Sequence, residues 1–141
     1  NMRADRRSAS SPAPMVSYDA TTETVTVSVR PAYLDGKSDV LEQQFVFAYF
    51  VRIENHGADE VQLLRRTWTI TDADGHVQHV EGAGVVGRQP VIAAGEAHEY
   101  HSMCVLRTFE GTMEGTYLMQ REGGSRFSAR IPLFHLVALA N

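Results

Sequence analysis

Phe45-Val46-Phe47-Ala48-Tyr49-Phe50-Val51-Arg52-Ile53-Glu54-Asn55 is the stretch on which the fold turns. Phe45, Phe47, Tyr49, Val51 and Ile53 fall on one side of an extended chain, because successive strand residues point to opposite faces. Val46, Ala48 and Phe50 make the second face apolar at its start. Arg52 and Glu54 make that face polar at its end. A run rich in aromatic and β-branched residues with period two reads as a strand, and one apolar on both faces reads as a central strand. Asn55-His56-Gly57 then signals a turn.

The same period recurs on both sides. Thr24–Arg30 places Val25, Val27 and Val29 on one face and Thr26 and Ser28 on the other. Val61–Asp72 places Leu64, Trp68 and Ile70 together, with Arg66 between them, opposite Arg65, Thr67, Thr69 and Thr71. Asp72-Ala73-Asp74-Gly75 is a tight connection to a short return strand, His76–Val80, which makes a hairpin. His98–Arg107 alternates again, with His98, Tyr100, Ser102, Cys104 and Leu106 opposite Glu99, His101, Met103, Val105 and Arg107. Phe109–Gly115 carries two glycines and reads as a loop. Thr116–Arg121 follows as a strand with Tyr117 and Met119 on one face. Phe127–Leu136 is the last strand, and its Pro132, lacking a donor, belongs at an edge or a bulge. About seven strands and no amphipathic helix predict an all-β, antiparallel, two-sheet β-sandwich of the fibronectin type III or immunoglobulin kind. With a single cysteine there is no Cys…Trp…Cys signature, which favours the fibronectin-like form.

The 141 residues are enough for one domain with its own core. Residues 1–14, rich in Ser, Pro, Ala and Arg, have no apolar periodicity and are expected to form a flexible tail before a domain spanning 15–141. Asn1 reads as a cloning remnant ahead of a native Met2. The formal net charge is −4. Without the tail, ten basic residues face sixteen acidic ones, which argues against nucleic acid as the main partner. The lone Cys104 excludes an intramolecular disulfide and a thiolate metal cluster. No apolar run approaches a membrane span, and no signal peptide is apparent, so a cytoplasmic protein is expected.

Glu81-Gly82-Ala83-Gly84-Val85-Val86-Gly87-Arg88-Gln89-Pro90 contains G-x-G-x-x-G. A dinucleotide fingerprint needs a helix after the glycines to hold the pyrophosphate. Pro90 and the absence of helical periodicity remove that reading. Two readings remain. The glycines can supply backbone freedom at a hinge between the two halves of the sandwich. Alternatively, Gly82, Gly84, Gly87 and Arg88 can form an anion nest for phosphate or pyrophosphate, with Arg65 and Arg66 nearby.

Other chemistry is thin. His76 and His79, and likewise His98 and His101, are three apart, which on a strand sets them on opposite faces and rules out chelation by either pair. Ser102 and His101 point apart for the same reason. Cys104 reads as a small buried hydrophobe. No paired carboxylates and no nucleophile elbow are seen. No catalytic residue, metal or cofactor is expected. Phe50 and Phe134, if exposed near a sheet edge, would mark a protein-binding surface.

The segments FVFAYFVRIEN (45–55), VQLLRRTWTITDADG (61–75), VEGAGVVGRQPVIAAGE (80–96), HEYHS (98–102), GTMEGTYLM (111–119) and FSARIPLFHL (127–136) together resemble the ApaG family in order and spacing. The chain departs from it in the first fourteen residues and in Ala83, where Glu is common. The resemblance implies a fibronectin type III-like sandwich in a small bacterial protein with no established activity. It also implies a loose association with cobalt and magnesium tolerance, and neighbours that include a diadenosine tetraphosphatase and an rRNA methyltransferase. The domain's occurrence within a eukaryotic F-box protein and a polymerase-interacting protein implies a protein-interaction module. The reading is therefore a non-enzymatic protein binder, with a weak homodimer among the oligomeric states left open. The alternative is a binder of phosphate compounds, such as dinucleoside polyphosphates, at the glycine loop.

Overall fold

The computed structural model describes residues 16–139, so the expected tail lies outside the described residues. Nine strands follow in order: β1 (Tyr18–Thr22), β2 (Val25–Tyr33), β3 (Phe45–Asn55), β4 (Val61–Asp72), β5 (Val77–Ala83), β6 (Val91–Ile92), β7 (Ala97–Leu106), β8 (Glu110–Arg121) and β9 (Arg126–Val137). All pairings are antiparallel. One sheet has the order β1-β2-β3-β7 and the other β5-β4-β8-β9, with β6 also on β4. The two sheets stack as a β-sandwich of the immunoglobulin and fibronectin type III kind.

The strand expected to be central is central. Phe45, Phe47, Tyr49, Val51 and Ile53 are buried, as are Val25, Val27 and Val29 of β2 beside them. Tyr117 and Met119 enter the same core from β8. The count exceeds seven because β1 carries only a polar alternation and β6 has two residues, too few to show any period. β2 also runs through Pro31, which pairs with Tyr49. This costs no hydrogen bond toward β1, whose pairing stops at Val29.

β8 begins at Glu110, so the expected loop at 109–115 is mostly strand. Its glycines are there for close approach. A Cβ on Gly115 would stand 1.9 Å from the Thr67 carbonyl oxygen, and one on Gly111 would stand 2.5 Å from that of Thr71.

Two bulges reverse the facing of side chains. On β4 the register with β8 shifts between Leu63 and Arg65, leaving Leu64 as the extra residue. Leu63, rather than the expected Leu64, is therefore the core residue, and Arg66, Trp68 and Ile70 turn inward beyond it. On β9 the shift falls between the partners of Met113 and Gly115, so Pro132 and Leu133 oppose Glu114. Pro132 thus occupies both a bulge and an edge strand.

The sandwich is closed on one side and open on the other. β9 lies against β1 and β2. There the Thr22 hydroxyl accepts the Arg130 N–H at 2.9 Å, and Arg121 pairs with Glu23. β5 and β7, the opposite margins of the two sheets, make no comparable approach. The chain passes between sheets at 93–96, where Asn55 fixes it. The Asn55 amide donates to Asp59 O at 2.8 Å and Ile92 O at 3.0 Å, and its side-chain oxygen accepts from Gly57 N at 3.0 Å. Backbone bonds Asn55 N to Glu96 O and Gly95 N to Asn55 O complete the joint.

Gly115→Ala should cost more than about 2 kcal/mol, because its Cβ meets a backbone carbonyl that cannot swing aside. Gly75→Ala, with φ +82° but open space around it, should cost about 1 kcal/mol. Urea unfolding of both variants checks the contrast, and equal losses would show that β8 does not need to lie so close to β4.

Candidate functional site

β5, the glycine stretch and β6 form one interrupted edge along β4. β8 occupies the other side of β4, so β5 and β6 must share this side. Gly84 N donates to Leu64 O at 2.8 Å, and Leu63 N donates to Pro90 O at 3.0 Å. Residues 84–90 are therefore a loop thrown out opposite the Leu64 bulge. The hinge expectation is corrected by this arrangement. Both flanking strands belong to one sheet, and the crossing between sheets comes later, at 93–96.

Each glycine has its own cause. A Cβ on Gly82 would meet the Arg66 guanidinium at 3.1 Å. One on Gly84 (φ +61°) would meet Arg88 O at 2.0 Å. Gly87 has φ +75° and follows Val86 at φ +47°. Val85 and Arg88 exchange hydrogen bonds of 2.8 and 3.0 Å around them. Two positive φ angles between paired residues make a type I′ turn. Val86 is β-branched, 65% exposed and strained in that position. Val85, by contrast, is buried.

The amides of Gly84 and Arg88 are thus spent on carbonyls within the protein. The Arg88 side chain is exposed and lies near His98, whose pKa is lowered by burial first and by Arg88 second. Of the four residues Gly82, Gly84, Gly87 and Arg88, Gly82 lies in β5 and the other three lie on the loop, with two of their amides, those of Gly84 and Arg88, engaged by backbone carbonyls.

What the loop does cover is a cleft on the open side of the sandwich. Under the turn, about 240 Å³ is lined by Tyr49, Arg66, Trp68, Tyr100 and Ser102 together with the turn itself. A continuation of about 410 Å³ shares Tyr49, Arg66, Trp68 and Ser102 and adds Ile70, Val80 and Cys104 among others. Arg66 Nη1 donates to Ala83 O and Gly84 O, both at 3.0 Å, which tethers the guanidinium beneath the glycines. The Tyr100 and Tyr117 hydroxyls share a short hydrogen bond, and the Tyr49 hydroxyl bonds the Ser102 side chain. Burial pushes all three phenols upward in pKa, while Arg66 pulls each of them down. Burial also raises the Cys104 thiol to about 11. Alternation sets Arg66 on the face of Trp68 and Ile70, and the sequence places it within reach of the glycine loop. The cleft as a whole needed the bulge to be known.

The expected partner surface needs correction. Phe134 is fully buried, with its ring centroid 6.0 Å from both Tyr49 and Trp68. The bulge at Pro132–Leu133 turns it inward and leaves Leu133 outside. Phe50 does face outward from β3, but half-buried. Arg30 lies over its ring at 5.2 Å and His101 beside it at 5.6 Å. Exposed apolar side chains stand instead on the outer face of β7, where Met103 and Val105 are each 56% exposed.

No group of three His, Cys, Asp or Glu side chains is placed to hold a metal among the described residues. His98 and His101 point to opposite faces of β7, as their spacing requires: His98 neighbours the Tyr100 ring, His101 that of Phe50. No helix among the described residues is long and apolar enough to cross a membrane.

Comparison with known proteins agrees with this architecture. The ApaG domain family matches residues 35–121. Protein ApaG of Paramagnetospirillum magneticum is 53% identical over 119 residues, covering 84% of this chain and 92% of that protein. Protein ApaG of Rhodospirillum centenum is 50% identical over the same shares. A crystal structure of a Bordetella pertussis protein described as ApaA superimposes with a TM-score of 0.78 at 50% identity, covering 80% of this chain and 92% of that one.

Val86→Asn should stabilise the protein by about 1 kcal/mol, since Asn-Gly suits a type I′ turn and Val does not. A urea midpoint unchanged or lowered would show that the turn carries no such strain. Cys104 should react with iodoacetamide at pH 8 at least about 100-fold more slowly than a free thiol, because the thiolate is the nucleophile. Its raised folded-state pKa also signs a stability change. The folded protein holds the thiol proton to higher pH than the unfolded chain does. Stability from this group is therefore intact below about pH 8.5 and lost as pH rises toward 11. Denaturant titrations at pH 8, 9 and 10 should show the decline, and Cys104→Ala should reduce it between pH 9 and 10.

Proposed function

Since the chain belongs to the ApaG family, we propose that it acts as a non-enzymatic β-sandwich module that binds another protein in a reducing, cytoplasmic setting. The partner contributes an extended segment, which adds as a strand to the β7 edge. The observation that carries this reading is a difference among the four sheet margins. Exposed edges invite pairing, and proteins blunt them with short strands, prolines, bulges or interruptions. β1 has five residues. β9 carries the Pro132 bulge. β5 ends in the glycine loop. β7 has none of these devices: it runs ten residues without proline and pairs with β3 in unbroken register from Ala97 to Leu106.

Along such an edge every second residue turns its N–H and C=O away from the existing partner strand. An added strand would satisfy them, and Met103 and Val105 would supply apolar contact on the outer face. Glu99 and His101 precede them on the same face, Arg107 follows the strand, and together these set a charge pattern for the incoming side chains.

Selection from a displayed library of extended peptides tests this. Binders should protect alternate β7 amides from hydrogen exchange. Met103→Lys with Val105→Lys should weaken them at least tenfold, about 1.4 kcal/mol, with the melting temperature changed by only a few degrees. Binders that map to another surface, or that ignore the double substitution, would sink the proposal.

A further inference from the structure

We propose that the cleft beneath the glycine turn is a binding site for a compact planar anion, an aromatic carboxylate or phosphate monoester, with Arg66 as its counterion. Arg66 is partly buried and makes no ion pair with a carboxylate among the described residues; it donates to the two carbonyls of Ala83 and Gly84. Those carbonyls fix the plane of the guanidinium without neutralising it, and they engage only Nη1. Nη2 and Nε retain donors. The chain has 17 acidic residues, yet none lines either part of the cleft. A cation removed from water without an opposing charge is costly, and a ligand anion would relieve that cost.

The surrounding groups are donors in surplus. Two phenols, Tyr100 and Tyr117, spend one hydroxyl hydrogen on each other and leave one over. Tyr49 and Ser102 do the same. A cleft with a tethered guanidinium, spare hydroxyl hydrogens and no carboxylate suits an oxyanion head group. Away from that head, Trp68, Ile70 and Val80 line an apolar continuation between two sheets. Facing sheets stand about 10 Å apart before their side chains intrude, so the space is a slot and favours a flat body. The continuation of the cleft borders Met103 and Val105 on the β7 margin used in peptide binding, so the Arg66 and Tyr100 variants, and not a β7 substitution, test this site on its own.

The test is a titration of ¹⁵N-labelled protein with phenyl phosphate, benzoate and inorganic phosphate. Phenyl phosphate or benzoate should saturably shift the Trp68 indole N–H, the Arg66 Nε–H and the amides of residues 85–87. Whichever binds more tightly names the head group. Inorganic phosphate, lacking the flat body, should bind at least fivefold more weakly than phenyl phosphate. Arg66→Met should weaken binding at least tenfold. Because Arg66 also tethers the turn, Tyr100→Phe is the second arm; it keeps the ring, removes a donor and should weaken binding at least threefold. The proposal is overturned if no aromatic probe saturates, if shifts are confined to Arg88 and other exposed cations, or if both variants bind as well as the unaltered chain. Equal affinity for inorganic phosphate would overturn the planar-body assignment.

Discussion

Trp68 is where the two sheets become one core. Its ring takes edge contacts from Tyr49 of β3 at 5.3 Å, Tyr117 of β8 at 6.4 Å and Phe134 of β9 at 6.0 Å. Four strands from both sheets thus depend on one indole. Aromatic rings in such geometry contribute about 0.5–1.5 kcal/mol per pair beyond the area they bury. Tyr49 and Tyr117 are phenols, and their polar ends need partners inside a largely apolar interior. They find them in Ser102 and Tyr100 on β7. The packing that joins the sheets therefore gathers hydroxyls at the open margin.

The Leu64 bulge decides what those hydroxyls meet. Without the extra residue, Arg66 would continue the face of Leu63's neighbours and point away from the core. With it, Arg66 and Trp68 turn inward together. The bulge also disturbs the free side of β4, where the Leu64 carbonyl is met by Gly84 N and by Gln89 Nε2 at 2.9 Å. The glycine loop and the bulge are in this sense one device. Gly82 leaves room for the guanidinium, Gly84 lets the chain pass close to Arg88, and the carbonyls of 83 and 84 hold Arg66 in place.

Period-two patterning made much of this legible. β2 and β3 follow from alternation alone, since each presents a continuous stripe to the core, and the β4–β5 hairpin follows from its Asp72–Gly75 turn. It failed wherever alternation is broken by geometry that leaves little trace in the residues. Leu64 leaves the face that alternation gives it, and Phe134 is not the exposed residue a partner surface would need, because a bulge flips every side chain beyond it. Pro132 marked one of those bulges, whereas nothing in Leu63-Leu64-Arg65 marks the other. Gly111 and Gly115 looked like loop residues because the same lack of a side chain that suits a turn also permits two backbones to crowd. The packing role of the glycine motif becomes visible only once Arg66 is found beneath it.

The open margin also needs an explanation, because the opposite one is closed. β9 reaches β1 and β2, and Thr22, Glu23, Arg121 and Arg130 finish that seam with polar contacts at the surface. The same closure between β5 and β7 would bury Arg66 with no carboxylate to meet it. Burying an unpaired guanidinium costs several kcal/mol, more than the apolar lining of Ile70, Val80 and Cys104 would return by direct contact. An unpaired Arg66 therefore opposes closure, which agrees with β5 and β7 standing apart and with the β7 edge left uncovered. An anion seated on Arg66 would lower the cost of closure, so occupancy of the cleft and the accessibility of the β7 edge are physically linked.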